Sequence, residues 1–382
     1  MDALTVAVSA NLPVILWGAP GTGKTSAVLA LGARLGLPVE VVVGSIREPS
    51  DFAGLPVVRE GGTWFAPPRW AERLAAAGSG ILFLDELTTA PPAVQAAMLR
   101  VVLERAVGDL VLPPSVRIVA AANPPAQAAD GWELSAPLAN RLIHLDWTIS
   151  AASVAEGFTS GFPGPDPAWA PPPGDAAVAR ARALVGAFLR VRPELVLSVP
   201  DGPARAWPSP RTWELAATAV ACTSVPRSAR KAPGTSGDPA TSGTVGDGGG
   251  GFEVRDADVE RVRAELVVGA VGEAAGFELL SWLRDLDLPD PETLLTDPAA
   301  PLPDRIDRVH AVLGSVVAHV TADGGADSWQ RAWTLIGRVA KCAPDVAASA
   351  ARLLATRRPK GATLPATVLE LAPILRSAGL MP

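Results

Sequence analysis

Eight residues near the start of the chain, Gly18-Ala-Pro-Gly-Thr-Gly-Lys24-Thr25, follow the spacing of a glycine, any four residues, Gly-Lys and a hydroxyl residue. Glycines let the backbone curl until successive N–H groups converge on one point, and a helix opening just after them aims the positive end of its dipole there. The Lys24 ammonium adds a mobile cation, and the Thr25 hydroxyl adds an oxygen ligand for a hard metal ion. Residue types in this order are suited to holding a polyphosphate and its magnesium. The set comprises Gly18, Ala19, Pro20, Gly21, Thr22, Gly23, Lys24, Thr25 and Ser26. A glycine-rich turn with a chance lysine is the rival reading. Against it, residues 14–17 read as a strand and residues 24–35 as a helix, the context this pattern needs.

A second chemistry-bearing group closes the apolar run Ile81-Leu-Phe-Leu-Asp85-Glu86. Paired carboxylates are costly inside a strand, so they belong at its carboxyl end, where open α/β sheets bind ligands. There Asp85 is placed to complete a magnesium shell and Glu86 to orient or deprotonate an attacking water. An Asp-Glu pair that merely opens a loop is the alternative, and the glycine-rich loop upstream weighs against it. His144, His310 and His319 lack metal-ligand spacing and read as structural. Cys222 and Cys342 stand far apart and read as core thiols, not as a disulfide or zinc pair.

These residues need a scaffold. Residues 1–150 alternate short β-branched runs with helical stretches, the pattern of a parallel sheet with helices on both faces. Strands are predicted at 14–17, 39–43, 81–85, 116–121 and 142–146, and helices at 24–35 and 91–106, where Pro91 and Pro92 suit a first turn. The fold class is therefore α/β, a five-stranded P-loop core followed by an all-α domain. Residues 151–174 read as a Pro-rich linker, because the prolines from Pro163 to Pro173 fix φ and lack donors. Residues 175–382 show helical periodicity instead, with Val178, Ala181, Val185, Phe188 and Leu189 on one face and Ile306, Val309, Leu313, Val316, Val317 and Val320 on another. Within them, residues 226–251 hold a single sizeable apolar side chain, Val245, and read as a disordered insertion.

At 382 residues and 48% hydrophobic, the chain can fill two cores. No apolar run approaches the ~20 residues of a membrane span and no basic leader precedes one, so a soluble, cytoplasmic protein is expected. The net charge is −6 and the basic residues are scattered, which leaves no electrostatic footprint for nucleic acid and favours a protein partner.

A third strand ends Ile118-Val-Ala-Ala-Ala-Asn123-Pro124-Pro125, and with it the chain resembles the AAA+ ATPases. Gly18 to Thr25, Asp85-Glu86 and Asn123 match their Walker A, Walker B and sensor 1 elements. Within that superfamily it is similar to the MoxR group, in the texture Asp85-Glu-Leu-Thr-Thr-Ala-Pro-Pro-Ala-Val-Gln followed by a helix and the sensor strand. The likeness covers the first 150 residues well and the remainder loosely. It implies ATP and Mg2+ as ligands, with Asn123 bonded to the water or the γ-phosphate. It implies that Arg141, in Leu138-Ala-Asn-Arg-Leu-Ile, is an arginine finger completing a neighbouring subunit's site. It also implies that Arg211, in Trp207-Pro-Ser-Pro-Arg-Thr-Trp213, reaches the nucleotide from a helical lid. The residues alone leave other readings open: Asn123 as the start of an Asn-Pro turn, Arg141 as the cap of a short helix, and the two tryptophans as lid core.

Residues 57–65 read as a hairpin around Glu60-Gly61-Gly62. The resemblance implies that Trp64 and Phe65 face a ring pore and touch a client; an inward-packed pair is the alternative. Residues 108–116 suit a second hairpin of this kind. As a whole, the resemblance implies a homo-oligomeric ring, a hexamer by expectation, that remodels, matures or assembles a protein client, such as one with a von Willebrand A-type domain. Two rival classes are a nucleotide-dependent binding switch with little hydrolysis and a nucleic-acid motor or clamp-loader relative. Glu86 argues against the first, since a switch needs no water-activating base, and the acidic net charge argues against the second.

Overall fold

Short apolar runs in the first part of the chain pair into a parallel sheet, and the Ala/Leu-rich stretches between them cover it. The computed structural model describes residues 2–124, 131–160, 172–202, 204–224, 256–359, 362–363, 365 and 368. It divides into two units, the first drawing on residues 1–172, 202–206 and 222–269 and the second on 173–201, 207–221 and 270–382.

In the first unit the elements run α1 (Ala3–Ser9), β1 (Val14–Trp17), α2 (Lys24–Leu35), β2 (Val39–Val43), α3 (Ser50–Ala53), β3 (Leu55–Arg59), β4 (Gly62–Ala66), α4 (Arg69–Ala77) and β5 (Gly80–Asp85). Then follow α5 (Pro92–Glu104), β6 (Ala106–Val107), β7 (Leu110–Val111), β8 (Val116–Ala122), α6 (Ala136–Ala139), β9 (Ile143–Asp146) and α7 (Ala151–Ser160). The five predicted strands form one sheet in the order β2-β5-β8-β1-β9, every pair parallel. Its interior explains the near-continuous apolar runs: Ile15, Leu16, Ile81, Leu82, Phe83 and Leu84 are all fully buried, as parallel strands covered on both faces must be. Each such side chain contributes roughly 2 kcal/mol of burial. Because the strands are parallel, the carboxyl ends of β1, β5 and β8 lie along one edge, with Trp17 opposite Ala122 and Leu84 opposite Ala120.

The expected hairpin is β3–β4, in which Val57 faces Trp64 and Arg59 faces Gly62 across Glu60-Gly61. The Arg59 guanidinium covers the half-buried Trp64 ring at 3.7 Å, whereas Val58 is 86% and Phe65 42% exposed. The second expected hairpin, placed at 108–116, lies instead at 106–111 as the short pair β6–β7, which turns at Gly108-Asp109. Asp109 joins the two hairpins: its carboxylate accepts from the Phe65 amide at 2.8 Å and its own amide donates to the Phe65 carbonyl at 3.1 Å.

Three expectations need correcting. Residues 151–160, assigned to the linker, form the helix α7, because Ser150 starts it by accepting the Ser153 amide at 3.0 Å and an Ala-rich run carries it on. Only residues 161–171 of that linker, together with the 226–251 insertion, lie outside the described residues. Cys222 is buried, but Cys342 is exposed, since the helix before it has already ended at Ala340. Ile306, placed on the buried face of its helix, is 67% exposed, because it is the first residue of that helix and lies beyond the packed turns.

The remaining helices are α8 (Asp175–Val191), α9 (Pro210–Thr223), α10 (Asp256–Val271), α11 (Glu273–Arg284), α12 (Pro291–Thr296), α13 (Ile306–Asp323), α14 (Ala326–Ala340) and α15 (Pro344–Thr356). In the second unit Val309, Leu313, Val316, Val317 and Val320 of α13 pack with Trp329 and Trp333 of α14, whose rings meet edge-to-face at 5.6 Å. The helical period predicted for this region is thus realised as a packed core. No described helix is long and apolar enough to cross a membrane.

Candidate functional site

The glycine-rich loop leaves the carboxyl end of β1 and runs directly into α2. Gly21 and Gly23 hold φ of 76° and 82°, a left-handed backbone that costs other residues about 1 kcal/mol or more. With the chain curled in this way, the amides of Gly21, Thr22 and Gly23 find no acceptor among the described residues. Three successive unsatisfied donors at a helix start form a cradle for an anion. Lys24 is buried beneath it. Its ammonium donates to the carbonyls of Gly18 at 2.7 Å and Ala19 at 3.0 Å, and to Asn123 Oδ1 at 3.2 Å. Burial pulls its pKa below the ordinary lysine value, against the opposing pull of the Asp85 carboxylate.

The other predicted residues gather on the same sheet edge. Thr25 Oγ1 donates to Asp85 Oδ2 at 2.8 Å, which brings together two hard oxygen ligands, the donor type magnesium takes beside phosphates. Among the described residues no cluster of three or more His, Cys, Asp or Glu is present, and a magnesium held by one carboxylate, one hydroxyl and phosphate oxygens needs none. Glu86 sits at φ 55° and ψ 43°, a conformation that costs a non-glycine residue on the order of 1–3 kcal/mol and is found mainly at functional sites. Local bonds enforce it: the Glu86 amide donates to Asp85 Oδ1 at 2.9 Å, and its carbonyl accepts the Thr89 hydroxyl at 3.0 Å. Its carboxylate accepts the Ser45 hydroxyl. Asn123, at the end of β8, meets Lys24, and its carbonyl accepts the Thr88 hydroxyl at 3.4 Å.

Two further predicted residues are arginines. Arg141 donates from Nη1 to the Pro137 carbonyl of α6, so the helix-capping contact is realised. Arg211 lies in the second unit, exposed in the first turn of α9. That turn is fixed by Ser209 and Thr212, which cap one another through Ser209 N to Thr212 Oγ1 at 2.8 Å and Thr212 N to Ser209 Oγ at 3.2 Å. The tryptophans flanking Arg211 are core, as the alternative reading had them: Trp207 and Trp213 are buried, and the Trp213 indole donates to the Leu195 carbonyl at 2.7 Å.

Several residues of the site were not singled out in the sequence. Ser45 follows β2, the strand beside β5, and reaches Glu86 only because the sheet places them together. Trp147, just past β9, donates its indole N–H to the Thr22 carbonyl at 3.0 Å. Trp17, the last residue of β1, donates its indole N–H to His144 Nδ1 at 2.9 Å, while Arg205 covers its ring at 4.4 Å and pairs with Asp146 at 2.9 Å. No contiguous motif contains these pairs; only the sheet order could have disclosed them.

His144 is structural, as expected. Its Nδ1 accepts from Trp17, so Nε2 carries the proton and donates to the Ala139 carbonyl at 3.0 Å. Burial, aided by Arg205, pushes the imidazole down to about 4, overcoming the opposing effects of the Ala139 bond and Asp146. The unfolded chain therefore takes up this proton first as the solution is acidified. Stability contributed by neutral His144 is full above about pH 6.5 and is lost as the pH falls toward 4, on the order of 3 kcal/mol in all. His310, also lowered to about 4 by burial and by Arg190, acts in the same direction. Denaturant unfolding at pH 7 and pH 4.5 should show this loss, and His144→Gln should remove roughly half of it. An equal pH dependence in that variant would contradict the assignment.

Residues 13–142 match the family model described as AAA domain (dynein-related subfamily). No curated protein matches the chain. Among solved structures it is similar to a "putative ATPase" from Cytophaga hutchinsonii, at 15% identity and a TM-score of 0.43 over 75% of this chain and 88% of that one. It is also similar to a full-length MCM homolog from Methanopyrus kandleri, at 18% identity and a TM-score of 0.36 over 57% of this chain and 48% of that one. Together with the parallel sheet and the loop that follows its first strand, the domain match identifies residues 13–142 as a P-loop core of the AAA type.

Proposed function

We propose that the chain is an AAA+ ATPase of the MoxR-like kind, which binds ATP with magnesium and hydrolyses it in a homo-oligomeric ring to remodel or assemble a protein client. The convergence of Lys24, Thr25, Asp85, Glu86 and Asn123 on one sheet edge, around three unsatisfied amides, carries this reading. Lys24 exchanges its Gly18 and Ala19 carbonyls for phosphate oxygens, and the loop amides take up the rest of the polyphosphate charge. Thr25 and Asp85 hold the metal ion, which neutralises charge on the phosphates when bound. Glu86 orients the attacking water and accepts its proton, while Asn123, released by Lys24, positions the water or the terminal phosphate.

In this reading Arg141 serves the neighbouring subunit's phosphates and Arg211 couples the helical region to nucleotide. The exposed Val58 and Phe65 of the β3–β4 hairpin offer apolar contacts to a client, and the net charge of −6 supports a protein over a nucleic acid. A steady-state ATPase assay in the presence and absence of DNA tests the proposal. Magnesium-dependent turnover without DNA stimulation is expected; no turnover would favour a binding switch, and strong stimulation by DNA a nucleic-acid motor.

The role of Arg141 has its own test. Arg141→Ala should keep nucleotide affinity and lose turnover by on the order of a thousandfold. Mixing it with Lys24→Ala should restore up to about a quarter of the turnover, because some interfaces then join an intact Lys24 to an intact Arg141. Two inactive proteins that stay inactive when mixed would show that Arg141 only caps α6.

A further inference from the structure

The trans peptide between Thr22 and Gly23 has its C=O and N–H on opposite sides, so fixing one fixes the other. The Thr22 carbonyl accepts the Trp147 indole N–H at 3.0 Å, which turns the Gly23 N–H to the opposite side, among the unsatisfied amides of the cradle. Left alone, this peptide is the weak point of the loop. Gly23 adopts φ of either sign with little cost, and a rotated peptide would present a carbonyl oxygen where the anion needs a donor. The rest of the loop already has internal restraints. The Thr22 hydroxyl donates to the Ala19 carbonyl at 2.7 Å, and Lys24 takes the Gly18 and Ala19 carbonyls. The Gly18 amide ties the start of the loop to the Ala122 carbonyl at 3.2 Å, and among the described residues the Thr22 carbonyl is the one loop carbonyl bonded to a side chain from outside the loop and α2.

Trp147 is itself held against the loop. Its backbone amide donates to the Trp17 carbonyl at 2.7 Å, which extends the β1–β9 pairing by one residue. Its carbonyl lies so close to Gly18 that a Cβ there would stand 2.6 Å from it. These main-chain contacts set the Trp147 backbone beside the first loop residue, and its Cβ and Cδ1 lie against Gly18, next to the indole N–H that reaches Thr22.

We infer that Trp147 is a positioning residue for phosphate binding, an indole lock that keeps the Thr22–Gly23 peptide in its amide-inward orientation. The inference rests on the nucleotide-binding reading given above. It predicts a loss of affinity that follows the phosphate chain and not the base, because the lock acts on the cradle alone.

The test replaces Trp147 with phenylalanine and, by amber suppression, with β-(3-benzothienyl)alanine, which keeps the indole shape without its N–H. Calorimetry with Mg-ADP, Mg-ATP and inorganic tripolyphosphate is expected to show all three binding about tenfold more weakly to both variants, with thermal midpoints within a few degrees of wild type. The benzothienyl variant keeps the packing, so it answers the question even where Phe disturbs folding. Unchanged affinity in that variant would overturn the lock. Weaker nucleotide with undiminished tripolyphosphate would also overturn it, by making Trp147 a base contact. Absence of any nucleotide binding by the wild-type chain would instead refute the underlying function, so the two failures are distinguishable.

Discussion

Lys24→Ala is expected to weaken Mg-ATP binding by roughly 100- to 1,000-fold, because two or more charge-assisted hydrogen bonds to phosphate, each contributing about 1.5–3 kcal/mol, disappear together. In the structure the ammonium already spans the Gly18 and Ala19 carbonyls and Asn123 Oδ1, the near ends of β1 and β8. Phosphate oxygens would replace oxygens that Lys24 now serves, so little reorganisation opposes binding. The fold should tolerate the loss, since carbonyls that face a ligand-accessible loop can turn to water. Isothermal calorimetry decides the matter. A dissociation constant unchanged in the variant would mean that the ammonium does not meet the polyphosphate, and the central functional reading would fall with it.

The second large effect belongs to Glu86. Glu86→Gln should retain nucleotide affinity and lose turnover by roughly 100- to 10,000-fold, since the amide cannot accept a proton from water. The backbone at this residue supplies a control for folding. Glu86 is held at φ 55°, and Gln inherits that conformation with its cost, whereas Gly adopts it freely. Glu86→Gly should therefore be no less stable than wild type in thermal unfolding and just as inactive. Substantial activity in either variant would remove Glu86 as the base. A marked fall in stability of the glycine variant would mean that the Ser45 contact and side-chain packing outweigh the relief of strain.

Most of the core was legible because its signals are local. The glycines follow β1 directly and run into the helix that opens at Lys24, and the acids close the apolar run of β5, so each signal lies within a few residues of its own element, and the structure matches the five predicted sheet strands to within a residue at each end. Where expectation and structure differ, a neighbour or an end decided the outcome. A serine cap turned residues 151–160 into a helix, the end of α14 left Cys342 exposed, and the first position of α13 exposed Ile306. None of these follows from hydrophobic pattern alone, because each depends on where an element starts or stops.

By itself the sequence placed a glycine-rich loop and two acids at the ends of strands whose apolar runs oblige them to be buried, while Asn123, at the end of a third, took its proposed role from the resemblance. The tertiary structure alone decided which distant side chains serve that loop. The sheet order sets β2 beside β5 and β9 beside β1, so Ser45 reaches Glu86, and Trp147 reaches Thr22 across 125 residues of chain. Strand order is fixed by the summed packing of helices on both faces and by connections of many residues, and such nonlocal energies leave no trace in any short stretch of residues.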